Sequence, residues 1–166
     1  LNSLMRRADR VRVACLAQLV NVIAPITTNP DGFFRQTIYY PYLWALQCAR
    51  GDVLDLAVES ASYEVRGTGQ VPYIDVAGTR DEETGSVTLF ILNRDLEKPR
   101  DLEVVWRESP PGRVVFSQVL TGPDLKAVNS FANPNQVAPQ PFETPKPGTR
   151  AALRLPARSY TVVQWA

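Results

Sequence analysis

The sequence predicts a mostly β chain in two parts. Residues 1–50 read as one helix–strand–loop–helix unit of an α/β barrel or doubly wound sheet, and residues 51–166 as an antiparallel β-sandwich. The first part is predicted by "ACLAQLVNVIAPI", residues 14–26, which runs without a charge between two helical patterns. The second is predicted by short apolar runs from Val53 onward, each bounded by Gly, Pro, Asn or Asp. A chain of 166 residues suffices for one ordinary domain, or for a small domain with a piece of another.

In the first part, "LNSLMRRADR" places Leu1, Leu4, Met5 and Ala8 at helical spacing. Arg6, Arg7 and Arg10 fall toward its C-terminal end, where cations suit the helix dipole. "VRVACLAQ" reads as a strand whose side chains, from Val13 on, are small or apolar on both faces, as in a parallel strand covered on both sides. "APITTNPDGFF" reads as a loop, with Pro25, Pro30 and the Asp31-Gly32 turn pair. "RQTIYYPYLWALQCARG" predicts a second helix with Ile38, Tyr42, Leu43 and Leu46 on one face, Pro41 in its first turn and Arg50-Gly51 as its stop. Such a unit cannot stand alone, because a parallel strand needs neighbours that residues 1–50 do not supply.

In the second part, strands are predicted at "VLDLAVES", "VPYIDVAGTR", "GSVTLFILNR", "RDLEVVW", "RVVFSQVL", "AALRLP" and "SYTVVQWA". Leu102, Val104 and Trp106 face one way with Glu103 opposed. Thr161, Val163 and Trp165 alternate with Tyr160, Val162 and Gln164. "TRDEETGSV" is a polar hairpin tip and "NRDLEKPRDL" a charged connection. Residues 121–149 are too long for a free loop inside a compact domain and read as a segment packed over the sandwich.

Composition removes several function classes. A formal net charge of +1 leaves no footprint for nucleic acid or anionic membrane. The run 14–26 is too short and too punctuated to span a bilayer, and it lacks the cleavage site of a signal peptide. Histidine is absent, which removes Ser-His and Cys-His nucleophile pairs and every His-containing metal site. No metal site or cofactor is expected. Cys15 and Cys48 are read as two buried free thiols rather than a disulfide. The chain opens on Leu1 rather than Met, and is expected to be cut from something longer.

No catalytic carboxylate pair emerges. Asp81, Glu82 and Glu83 read as solvated charge at a hairpin tip, Asp52 and Asp55 as capping or solubilising residues, and Asp9 as structural. None is spaced to place two carboxyls across a bond. Gln18 stands out as an uncharged amide at the C-terminal end of a buried strand, where lack of partners would cost about 1–3 kcal/mol. Either neighbouring loops satisfy it or it points into a polar cavity, as strand ends do in (β/α)₈ barrels. Asn21 has the same two readings, with loop bonding preferred. Phe33, Phe34, Tyr39 and Tyr40 could stack on sugar faces or pack in a core, core packing being the more frequent use.

"ADRVRVACLAQLVNVIAPI" and "FRQTIYYPYLWA" resemble the end of the catalytic barrel of family 51 glycoside hydrolases, the α-L-arabinofuranosidases. "VTLFILNRDLE", "LTGPDLKAVNSFANPNQVAPQ" and "LPARSYTVVQWA" are similar to that family's C-terminal β-sandwich, in the same order along the chain. The resemblance implies the last β/α unit of a (β/α)₈ TIM barrel followed by a jelly-roll-like sandwich. It implies a retaining hydrolase that releases terminal α-L-arabinofuranosyl groups from arabinoxylan, arabinan and arabino-oligosaccharides, using two glutamates. Those glutamates belong to barrel strands four and seven, so they are expected in an upstream part of the same enzyme, and this chain alone is expected to be inactive. The resemblance carries one site residue over: Gln18, in "AQLVN", would contact the arabinose. An amide can donate to one sugar hydroxyl and accept from another without charge. At the position before "RQT", where relatives often carry tryptophan, this chain has Phe34. The expected partners are the upstream barrel, arabinofuranosyl oligosaccharides and further copies in a homo-oligomer, in the cytoplasm. The competing reading is a non-catalytic carbohydrate-binding or scaffold sandwich. The uncovered strand at 11–26 argues against it, because so apolar a run is not expected to persist on an isolated monomer.

Overall fold

A computed structural model of the chain describes residues 1–108, 110–143, 145–146 and 148–166. Among the described residues, two helices, α1 (Asn2–Met5) and α2 (Tyr39–Cys48), accompany twelve strands. These are β1 (Ile26–Asn29), β2 (Gly32–Arg35), β3 (Asp52–Val53), β4 (Ser62–Val65), β5 (Gly69–Pro72) and β6 (Ile74–Arg80), then β7 (Val87–Asn93), β8 (Arg100–Val105), β9 (Val114–Leu120), β10 (Gln140–Pro141), β11 (Arg150–Leu155) and β12 (Ser159–Trp165).

The centre is a six-stranded antiparallel sheet in the order β10-β9-β12-β7-β6-β3. A two-stranded sheet, β11-β8, covers one of its faces. Between them lies a core of Ile74, Val76, Leu89, Ile91, Val163, Trp165, Leu153 and Leu155, with Leu102, Val104 and Trp106 packed from β8 and its end. The alternation expected in β8 is present: positions 101, 103 and 105 are exposed. Trp106 meets Trp165 edge to face at 5.4 Å, a favoured aromatic geometry.

The other face of the central sheet is covered by α2. Tyr40, Trp44 and Cys48, one helical turn apart, pack on Phe90, Leu120 and Val162. Trp44 stacks on Tyr160 with ring centroids 6.3 Å apart. Strands β7 and β12 are therefore buried on both faces, and the adjacent residues Val162 and Val163 are both fully buried. The helix uses a different stripe from the expected one, since Ile38 and Leu46 remain exposed. It is apolar nearly all round, and the sandwich takes only the face bearing its two largest inward rings. Pro41 does lie in the first turn. Gly51 ends the helical segment at a positive φ of 73°, and a Cβ there would collide with the Arg80 carbonyl.

α1 is held to the same face by buried polar groups. Asn2 Nδ2 donates to Asp75 Oδ2 at 3.1 Å and to the Phe90 carbonyl at 3.1 Å. Tyr160 donates its hydroxyl to Asn2 Oδ1 at 3.0 Å. Arg6 pairs with Asp75 at 2.8 Å. Burial first, and then the Asp75 carboxylate, raise the Tyr160 hydroxyl above the usual tyrosine range.

Four further expectations are corrected. Residues 11–18 form no strand: they run in irregular conformation, with Val13 79% exposed. Their ladder groups have no neighbouring strands to pair with, so a strand has nothing to form against. Residues 24–34, expected as loop, contain the β1–β2 hairpin, whose turn is capped by Asn29 Oδ1 accepting from the Asp31 and Gly32 amides. "VLDLAVES" contributes only Val53 to the sheet, as the second residue of β3; beyond it Leu54 donates one further backbone bond, to the Gly78 carbonyl, and the chain then leaves the ladder. Cys15 is a free thiol but an exposed one, since the segment carrying it is uncovered; Cys48 is free and buried.

The segment after β9 packs as expected: Val137 is buried, and Ala127 and Ala138 lie against the α2 side of the sheet. Residues 144 and 147 of that stretch lie outside the described residues.

Candidate functional site

Gln18 lies in the irregular segment, exposed, with φ 55°. Its side chain makes no hydrogen bond among the described residues, so of the two readings of this amide, satisfaction by loops of this chain is not realised. Asn21 (φ 63°) and Val22 (φ 58°) share the left-handed region, which for a β-branched residue such as Val22 is a true outlier. Such a conformation costs about 1–3 kcal/mol per residue. Around Gln18 the chain exposes Leu19 (70%), Val22 (82%) and Ile23 (67%). The residues from 11 to 23 thus form an apolar strap on the molecule's surface.

The strap is fixed at its C-terminal end. Asn21 Oδ1 accepts from the Thr28 amide at 2.7 Å, and its Nδ2 donates to Thr28 Oγ1 at 3.1 Å. The Asn21 amide donates to the Ile26 carbonyl at 2.7 Å, and Val20 bridges to Ile26. Asn21 therefore takes the loop-bonding role. The hairpin it grips is held in turn by the sandwich: Asn129 Nδ2 donates to the Arg35 carbonyl at 2.8 Å, and Phe34 meets Phe131 edge to face at 4.9 Å. Phe33 is exposed beneath the Arg35 guanidinium, whereas Tyr40 is a core residue.

Spacing carried no signal for Asn2 or Asn129, buried amides that each bond a backbone carbonyl far along the chain. Asp95, within the connection read as merely charged, is also buried. Its carboxylate accepts from the Glu97 and Lys98 amides and from Arg100. Those backbone bonds chiefly, with Arg100, hold it down at about 2. Asp81, by contrast, caps its own turn at the hairpin tip. Two surface clefts, one along residues 132–136 and one between β11 and Phe142, Glu143, Pro145 and Lys146, do not include Gln18.

These features define a helix-backed antiparallel β-sandwich that bears an apolar strap, exposed among the described residues, with the Gln18 amide unpartnered among them. The chain belongs to the α-L-arabinofuranosidase C-terminal domain family, whose model matches residues 1–159. It is 40% identical over 142 residues to an intracellular exo-α-(1→5)-L-arabinofuranosidase of Streptomyces lividans, covering 85% of this chain and 21% of the relative. It is 39% identical over 144 residues to an exo-α-(1→6)-L-arabinofuranosidase of Bifidobacterium longum, covering 86% of this chain and 27% of the relative. The solved structure of a family 51 α-L-arabinofuranosidase from Bifidobacterium longum matches with a TM-score of 0.92 at 34% identity, covering 99% of this chain and 33% of that one. The chain spans 21% to 33% of the length of these relatives.

Proposed function

We propose that this chain is the C-terminal part of a retaining α-L-arabinofuranosidase that releases terminal arabinofuranosyl residues from arabinan, arabinoxylan and arabino-oligosaccharides. Residues 1–50 complete a (β/α)₈ barrel begun upstream, and residues 51–166 form its jelly-roll-like sandwich. The upstream polypeptide supplies the other barrel strands and both glutamates, so this chain alone is inactive. The observation that carries the reading is the strap: a segment within the family match is left apolar and exposed when only this chain is present. Docked between barrel strands, residues 11–18 gain the ladder partners they lack, and Gln18 reaches the strand end where barrel enzymes bind ligand. There its amide donates to one arabinose hydroxyl and accepts from another.

Relatives named for (1→5) and (1→6) linkages match this chain equally well, which supports assigning linkage choice to the upstream part. A cytoplasmic location is in keeping with the "intracellular" in several relatives' names.

The test uses the complete enzyme and an aryl α-L-arabinofuranoside. Gln18→Ala is expected to lower kcat/KM by an amount equivalent to roughly 1–3 kcal/mol, the loss of a sugar hydrogen bond. An unchanged kcat/KM with intact stability would return Gln18 to a structural role. Hydrolysis by this chain on its own would overturn the division of labour.

A further inference from the structure

We propose that the sandwich positions Gln18 for substrate, with Asn129 as the positioning residue; this rests on the substrate-contact reading of Gln18. Asn129 is buried, and all its bonds are short. Its Oδ1 accepts from the Val137 amide at 2.7 Å, and its Nδ2 donates to the Val137 carbonyl at 2.8 Å, closing the loop 129–137 on itself. Loop closure needs only those two bonds. The second Nδ2 hydrogen reaches back along the chain to the Arg35 carbonyl, also at 2.8 Å.

Arg35 is the end of a continuous line. It stands opposite Ile26 in the β1–β2 register. Ile26 in turn accepts from the Asn21 amide at 2.7 Å and bridges Val20, two residues beyond Gln18. The Asn21 side chain grips Thr28, one register pair nearer the hairpin tip than Thr27. Phe34 against Phe131 adds an apolar contact between the same two segments. The sandwich loop thus holds the hairpin, and the hairpin holds the strap at the two residues that set where Gln18 leaves it. A contact line is only a route, and coupling along it is what a double-mutant cycle measures.

The cycle uses the complete enzyme in four forms: wild type, Gln18→Ala, Asn129→Asp and the double variant. Aspartate keeps the acceptor for the Val137 amide but loses both donors, so the Arg35 link is cut. Gln18→Ala is expected to lower kcat/KM about 10- to 100-fold. Asn129→Asp is expected to lower it about 3- to 10-fold, as displaced substrate-binding groups do, divided between KM and kcat as in Gln18→Ala. The double variant should be no worse than Gln18→Ala, within about twofold.

A double variant showing the product of the two losses would overturn the inference while leaving the Gln18 contact intact. So would an Asn129→Asp enzyme with wild-type kinetics, or one that loses kcat at unchanged KM through a smaller active fraction. If Gln18→Ala itself has no effect, the substrate-contact reading fails, and the inference with it. Should Asn129→Asp not fold, Phe131→Ala, at a partly exposed ring, takes its place in the cycle with the same outcomes.

Discussion

Leu19 and Leu125 are almost equally exposed in this chain, at 70% and 69%, yet they should respond very differently to truncation in the complete enzyme. Fully burying a leucine side chain is worth about 1.5–3 kcal/mol. With less than a third of the side chain covered, truncating either residue in this chain by itself should cost below about 1 kcal/mol. If the strap enters a barrel wall as far as Leu19, that residue becomes a core residue, and Leu19→Ala then costs about 2–5 kcal/mol, transfer plus cavity. Leu125→Ala, on the loop after β9, should stay within about 1 kcal/mol. The difference of roughly 2–4 kcal/mol corresponds to several degrees in thermal midpoint even for a large protein. The assay is thermal unfolding of the two variants of the complete enzyme, followed by loss of arabinofuranosidase activity after heating. A Leu19→Ala enzyme that melts with the Leu125→Ala enzyme would refute the barrel reading of the strap.

Two further outcomes follow from the titratable groups. Asp95 is held at about 2, below its ordinary 3.8, by the Glu97 and Lys98 amides and by Arg100. A depressed carboxylate contributes stability that is fully present above about pH 4 and is lost as pH falls toward 2. Asp95→Asn should therefore flatten the acid limb of the stability curve in that window, as read by denaturant midpoints from pH 2 to 6; an acid limb as steep as wild type would remove Asp95 as its source. Cys15 is exposed, whereas burial raises the Cys48 thiol above its usual range, against a smaller lowering by Arg50. Iodoacetamide should label Cys15 and spare Cys48 in this chain, and spare both in the complete enzyme, as peptide mass mapping would register. Rapid Cys15 labelling in the complete enzyme would count against a buried strap.

What was legible in the sequence depended on whether a residue's partner was implied by a period. The alternation of Leu102, Val104 and Trp106 announced β8 because half its residues face water. In β12 the same two-residue period marked two faces without telling that both are covered, since Val162 meets a helix and Val163 a sheet. The strap's composition signalled burial, yet Val13, Leu19, Val22 and Ile23 stand exposed among the described residues. The β1–β2 hairpin showed only its Asp31-Gly32 turn; its strands, "ITTN" and "GFFR", have no apolar alternation to announce them. Gln18 was noticeable as an amide in an apolar run. Asn129 was not, because its distant partner is a carbonyl 94 residues away and a carbonyl belongs to every residue alike.

The order of strands in the central sheet sets the order in which the domain can be completed. β12 lies between β9 and β7, and those two are joined by no direct pairing. It is also the latest of the twelve strands to leave the ribosome. Until it emerges, β7 and β9 each present an open apolar edge, and α2 lacks the Val162 and Tyr160 surfaces it rests on. The sheet therefore closes after synthesis of its middle, not progressively from one side, and the nascent domain must be kept from pairing those edges with other chains during that interval.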